Sequence, residues 1–193
     1  MKKSVLLAGI LLSATLLLTA CGNDSSKDTA EKATKVEKTT KKSVKKAPVK
    51  VPTTPDEDWF YKDNVFYAGM ETMTLTKSEV RDGLNDGEKV LVIYNTIRNN
   101  SKEEQDPSNF YMVVHARQKN ETSNVTLDVG FLATDENGQS PLQTQEDNLN
   151  NSLLPGKTVE TVLMFTLKNN NPVTLEFQNE DFDVIGSKTY DVK

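Results

Sequence analysis

The sequence from Trp59 onward predicts an all-β fold, a β-sandwich of seven or eight strands carried behind a disordered tether. Three observations lead there. Apolar residues recur with period two rather than 3.6, turn signals interrupt them at short intervals, and no segment carries a convincing long helix. About 135 residues are available, one domain's worth and enough to bury a core. A small closed β-barrel is the structural alternative, since short antiparallel strands build both.

The elements follow in order. "WFYKDNVFY" places Trp59, Phe60, Tyr61, Phe66 and Tyr67, five of the 13 aromatic residues, at the domain's entry. They read as a first strand stapled to the sandwich edge, or as rigid contact area for a partner. Thr72 to Val80 sets Met73 and Leu75 on one side, and Lys89 to Arg98 alternates Val90, Val92 and Tyr94 with Leu91, Ile93 and Ile97, apolar on both faces. Asp86-Gly87 between them is a hairpin turn signal. Asp82, Asp86 and Glu88 lack EF-hand spacing, so this stretch reads as a turn and not a calcium loop.

A third strand is expected over Phe110 to Gln118, with Phe110, Met112, Val114 and Ala116 inward and Tyr111, Val113, His115 and Arg117 outward. A shorter strand over Asn124 to Val129 follows. Gly130 to Ser152 is a polar run longer than sandwich loops usually are, and such loops tend to be functional or mobile. Within it Ser140-Pro141 is placed to cap a short helix presenting Leu142, Leu149 and Leu153. The remaining strands are Thr158 to Leu167, one carrying Val173, Leu175 and Phe177, and Asp183 to Val192. Pro107, Asn137-Gly138, Pro155-Gly156 and Asn171-Pro172 mark turns.

The start of the chain has a different character. Lys2 and Lys3 precede a run from Val5 to Leu18 of aliphatic and small residues, ending in small residues before Cys21. That is a basic, then apolar, then small-residue signal, too short for a membrane span of about 20 residues. Leu18-Thr19-Ala20-Cys21 resembles the bacterial lipobox. The resemblance implies a diacylglyceryl thioether on Cys21, cleavage between Ala20 and Cys21, and a protein anchored by lipid to the extracellular face of the cell membrane. Two or more acyl chains hold stably where one does not. The only cysteine is thereby used, so an exported domain that could have had disulfides has none to form.

Residues 22–50 hold nine Lys, four acids and no aromatic residue, too little apolar surface to offset ordering entropy. As a coil of about 30 residues they span roughly 30 Å. Their net charge is +5, while residues 51–193 carry 12 basic and 24 acidic residues, a net of −12. The basic tether suits an anionic leaflet, at about 1 kcal/mol for each Lys held near the surface. The acidic domain lacks the footprint that nucleic acid requires. The expected organisation is residues 1–20 as signal peptide, 21–55 as lipidated cysteine and tether, and 56–193 as the sandwich.

"WFYKDNVFYAGMETMTLTKSEV", "EKVLVIYNTIRNNSKE" and "LLPGKTVETVLMFTLKNNNPVTLEF" together resemble the immunoglobulin-like domain of unknown function of many Gram-positive lipoproteins. Asn99-Asn100-Ser101 and Leu154-Pro155-Gly156-Lys157-Thr158 stand where that family has an Asn-rich strand end and a Leu-Pro-Gly turn. The resemblance implies an immunoglobulin-like sandwich from about Trp59 to Val192, and implies no activity. The disulfide and packed Trp of antibody domains are absent, which leaves strand order open. The Leu-Pro-Gly-Lys-Thr stretch lacks the order of a sortase signal and reads as a turn.

Little in the chain points to chemistry. His115 is the sole histidine and reads as a cross-strand residue rather than a general base; no Gly-x-Ser-x-Gly elbow, zinc set or phosphate loop is present. Neither a cofactor nor a metal is expected. The leading expectation is a membrane-anchored, non-enzymatic lipoprotein whose sandwich binds a protein or envelope polymer. A small-ligand-binding lipoprotein and a glycan hydrolase using two of the domain's carboxylates are the alternatives.

Overall fold

The computed structural model describes residues 48–193. The leader, Cys21 and most of the tether lie outside the described residues. Among the described residues nine strands form two antiparallel sheets, the sandwich the periodicity predicts, and neither sheet closes on itself as the barrel alternative required. One sheet contains β1 (Phe60–Lys62), β2 (Val65–Ala68), β3 (Glu71–Asp82), β4 (Lys89–Asn99) and β7 (Thr158–Thr166), in the order β1-β2-β3-β4-β7. The other has the order β6-β5-β8-β9, from β5 (Val114–Lys119), β6 (Asn124–Thr126), β8 (Val173–Gln178) and β9 (Val184–Tyr190).

The extra strand comes from the aromatic entry segment. Asp63 and Asn64 both adopt positive φ, 48° and 70°, and reverse the chain in two residues. Short polar residues tolerate that conformation, and a turn of this kind matches the twist of the strands it joins. What reads as one strand is therefore the β1–β2 hairpin at the sheet edge. It also reaches the other sheet: Tyr61 stacks on Phe177 of β8 with ring centroids 3.9 Å apart. Gly186 of β9 leaves room for that ring, since a Cβ there would sit 2.7 Å from Tyr61 Cδ1.

β4 explains the long polar run. Its Leu91, Ile93 and Ile97 face the inter-sheet core with Met73, Leu163, Leu175 and Phe177. Its other face, with Val90 and Val92, packs with Val162 and Met164 of β7 under Leu132 and Leu142. Residues between β6 and β7 thus roof the outer face of the sheet, and α1 (Gln143–Asn150) lies within them. The expected cap by Ser140-Pro141 is corrected: the N-cap of α1 is Leu142, with no side-chain cap hydrogen bond, and the Ser140 hydroxyl instead accepts from the Leu142 amide at 3.2 Å and donates to the Glu146 carboxylate. Leu142, Leu149 and Leu153 are all buried.

The expected strand over Phe110 to Gln118 is corrected. Pro107–Met112 is a 3-10 helix, and β5 begins only at Val114. Asp106 caps it, its carboxylate accepting from the Ser108 amide at 3.0 Å and hydroxyl at 2.7 Å, and Pro107 presets the first helical φ. The alternation holds from Val114, but Met112, expected inward, is 61% exposed. Tyr111, expected outward, turns in to accept from the Met164 amide at 3.0 Å. β6 also ends early, because the chain leaves its sheet and bridges β7 at Val129–Phe165.

The two Asn and Leu-Pro-Gly motifs prove to be one contact. Fully buried Asn99 donates from Nδ2 to the carbonyls of Glu103 and Leu153, at 2.7 and 2.8 Å, and accepts from the Ser101 amide and hydroxyl, each at 2.8 Å. Its backbone carbonyl accepts from Gly156, where φ is 70°, and its amide donates to Lys157. Asn99→Ala leaves these carbonyls and donors without partners, and is expected to lower the unfolding free energy by about 1–3 kcal/mol in urea denaturation. A loss below the error of that measurement would show water taking over the bonds.

Candidate functional site

The site forms where the β2–β3 turn meets the 3-10 helix. Gly69, with φ of 62°, lets the chain reverse between Ala68 and Glu71. Asn100 holds the turn: its amide donates to the Met70 carbonyl at 2.7 Å, and its Nδ2 to the Gly69 carbonyl at 3.0 Å and Thr72 Oγ1 at 2.8 Å. The Trp59 indole packs on Gly69, where a Cβ would come within 3.0 Å of Nε1. Opposite, the 3-10 helix presents Asn109, Phe110 and Met112.

Between them opens a mainly apolar cavity of about 290 Å³, lined also by Pro55, Ala68, Gln105 and Val113. Met70 and Met112 stand at its margin, 55% and 61% exposed. Glu71 lines it from the first position of β3, where period two aligns it with the core residues Met73 and Leu75. Only 6% of Glu71 is exposed, and its Oε1 is buried without a hydrogen-bond partner. Burial, reinforced by the negative charge of Asp106, raises its pKa to about 7. A buried acidic residue with a raised pKa beside an apolar cavity marks this as the candidate binding site.

The five entry aromatics separate. Trp59 lines the cavity, whereas Tyr61 is stacked on Phe177 and Phe60 on Tyr67, the latter pair 5.5 Å apart. Phe66 and Tyr67 are fully buried, so they offer no surface to a partner; the Tyr67 hydroxyl donates to the Thr54 carbonyl. Glu71 and Met70 carry no motif of their own, and Met112 reads in the sequence as an inward strand residue. Extending the alternation of Met73 and Leu75 back by one step finds Glu71, but nothing local places Met112 beside it.

Elsewhere His115 lies opposite Glu176 in the β5–β8 register, and Glu176 is ion-paired with Arg117 at 2.7 Å. The Asp82 to Glu88 segment is a hairpin turn with Gly87 at φ 75° and an Asp82–Lys89 ion pair. Among the described residues no three His, Cys, Asp or Glu side chains cluster closely enough to hold a metal, and no helix is long and apolar enough to cross a membrane.

Two solved structures share this fold. A candidate lipoprotein of Staphylococcus aureus superimposes with a TM-score of 0.61 at 13% identity, over 69% of this chain and 92% of its own. A protein from Enterococcus faecalis, solved by NMR, gives a TM-score of 0.58 at 16% identity, over 72% of this chain and 97% of its own. No curated protein matches the sequence. A family model described as a domain of unknown function, DUF5067, matches residues 45–179, which include the cavity and eight of the nine strands, and the chain belongs to that family.

Proposed function

We propose that this chain is a lipid-anchored binding protein on the extracellular face of a Gram-positive cell membrane, and that its sandwich engages a protein or envelope polymer without catalysis. The observation that carries the binding half is the open, mainly apolar cavity at Trp59, Met70 and Met112, with Glu71 as the acidic residue in its lining. At about 290 Å³ it lies at the lower limit of ligand pockets, the size for one inserted group rather than a whole drug-sized molecule. The anchoring half is supported by Leu18-Thr19-Ala20-Cys21 and by the Staphylococcus aureus relative being a candidate lipoprotein.

Glu71 and Asp106 also invite comparison with the carboxylate pair of a glycoside hydrolase. Binding is the better reading, because Asp106 is committed to capping the 3-10 helix and the walls are apolar rather than lined with sugar-binding polar groups.

Two measurements on intact cells test the proposal. Cys21→Ser is expected to move the protein from the membrane pellet to the soluble fraction; a variant that still sediments, or an unmodified thiol in the mass spectrum of the native protein, overturns the anchor. A photo-cross-linker at the exposed position 112 is expected to capture a macromolecule. A co-purifying metabolite with no macromolecular adduct would favour the small-ligand alternative, and turnover of envelope glycan the hydrolase.

A further inference from the structure

We infer that the cavity at Trp59, Met70 and Met112 docks a basic segment of a partner protein, which inserts one large aliphatic side chain while flanking lysines or arginines face the acidic rim around the opening. The inference rests on the binding reading of the same cavity and names the chemistry of its occupant.

The apolar surface at this place extends beyond the cavity. β3 begins there at Glu71, β8 ends there at Gln178, whose amide donates to the Val113 carbonyl at 2.9 Å, and β9 begins there at Val184. The β2–β3 turn, the 3-10 helix and the β8–β9 turn therefore share one end of the sandwich. Of the nine large apolar residues exposed among the described residues, five lie at this end: Met70, Met112, Leu154, Phe182 and Val184. Leu154 belongs to it because its neighbour Leu153 bridges to Gln105, a lining residue. Single exposed apolar residues are ordinary, but a group of them beside an apolar hollow marks an interaction surface. Phe182 is the extreme member. It holds φ of 63°, rare for a bulky side chain, and yet is 64% exposed.

Charge decides what kind of partner fits. Residues 56–58, 103–106 and 179–183 each contribute three exposed Asp or Glu side chains at this end. The only basic residue in the stretches 55–59, 99–113 and 178–184 is Lys102. Such a rim repels an anionic polymer and an anionic leaflet. It also repels a second copy of the chain, whose residues 51–193 carry a net charge of −12. Glycan is poorly matched to walls formed by Trp59, Met70, Phe110 and Met112. A segment with an apolar side chain between lysines or arginines satisfies both the hollow and the rim. The anchor supplies affinity, and the flanking cations speed encounter and set specificity. Two methionines suit that role, because an unbranched thioether chain adapts to the shape of its guest. About 290 Å³ is room for one such side chain.

Trp59 is the only tryptophan and lines the cavity, so its emission reports occupancy. The full-length protein, reconstituted in nanodiscs of zwitterionic lipid, is titrated with acetyl-Lys-Lys-Leu-Lys-Lys-amide, with the same peptide carrying Ala for Leu, and with one carrying Glu for every Lys. At low ionic strength the lysine–leucine peptide is expected to shift Trp59 emission and to bind at least tenfold more tightly than either of the others. High salt is expected to weaken both lysine peptides severalfold and to keep the preference for Leu over Ala. Met112→Ala, at an exposed position, is expected to reduce that preference to below threefold with Tm unchanged. Glu103→Gln together with Glu104→Gln is expected to weaken both lysine peptides severalfold and to leave the preference in place. Equal affinity for the Leu and Ala peptides, a glutamate peptide that binds as tightly as its lysine counterpart, or a preference unmoved by Met112→Ala overturns the proposal. A photo-cross-linker at position 112 that captures only a second copy of the chain overturns it too, and gives the face to self-association. If the peptide preferences fail while the cross-link to another macromolecule persists, only the occupant's chemistry falls; if no macromolecule is captured either, the binding reading falls with it.

Discussion

Phe177→Ala is expected to lower the unfolding free energy by about 3–5 kcal/mol, the range for removing a large buried aromatic side chain. Phe177 is fully buried on β8 and contacts both sheets. Tyr61 stacks on one face at 3.9 Å between centroids, and Phe66 of β2 lies 5.1 Å away at a tilt of 55°. Phe66 in turn meets Phe110 of the 3-10 helix at 5.7 Å and Trp59 at 6.1 Å, both edge-on. Such pairs add about 0.5–1.5 kcal/mol each beyond the area they bury. The substitution therefore opens a cavity and also strips the β1–β2 hairpin of its contact with the second sheet. Urea unfolding followed by Trp59 emission and by far-UV circular dichroism measures the loss. A loss below about 1 kcal/mol would mean that the hairpin is held by its own sheet alone. Because Tyr61 sits on the aromatic face itself, the conservative Phe177→Leu is expected to recover only part of the loss.

Glu71→Gln is expected to act in the opposite direction and to depend on pH. In the folded protein the Glu71 pKa is about 7, against an ordinary value of 4.5, with burial as the larger cause and Asp106 as the smaller. Between those two pH values the folded chain holds a proton that the unfolded chain releases, so this group's contribution to stability is greatest below pH 4.5 and declines as pH rises through 7. At about 1.4 kcal/mol per pH unit, the interval from 4.5 to about 7 corresponds to roughly 3 kcal/mol of destabilisation at pH 8. The neutral amide avoids that loss. The variant should match the parent within about 1 kcal/mol at pH 4 and exceed it by about 1–3 kcal/mol at pH 8. Urea unfolding of both proteins at pH 4, 6 and 8 decides the matter, because every other carboxylate is common to the two and cancels in the difference. Parallel pH profiles would place Glu71 in an environment as wet as the surface. A stability cost kept in the charged form is the pattern of a functional position, since the substitution that stabilises the fold also removes the acidic group among the cavity's lining residues.

The β architecture was written in local pattern. Alternation in β3, β4, β7 and β8 reflects the two faces of a strand, and Asp86-Gly87 and Pro155-Gly156 set turns through their own backbone preferences, with positive φ at both glycines. The double-sided apolar character of β4 was legible too, and so was a short helix presenting Leu142, but that the polar run roofs the outer face of β4 was not, because Leu132 and Leu142 have meaning only against Val90 and Val92. The period-two reading failed at Phe110 to Met112, where the Asp106 cap and Pro107 outweighed alternation.

From the residues alone came the lipobox resemblance, the sandwich class, the absence of a disulfide and the acidity of the domain, all properties that neighbours along the chain or simple counts determine. The cavity required the fold. Trp59, the Gly69 to Glu71 turn and Asn109 to Met112 are distant in sequence, and only the β2–β3 pairing and the 3-10 helix bring them around one carboxyl. Whether a glutamate is solvated or stranded depends on the dielectric and donors around it, and those are supplied by residues from elsewhere in the chain.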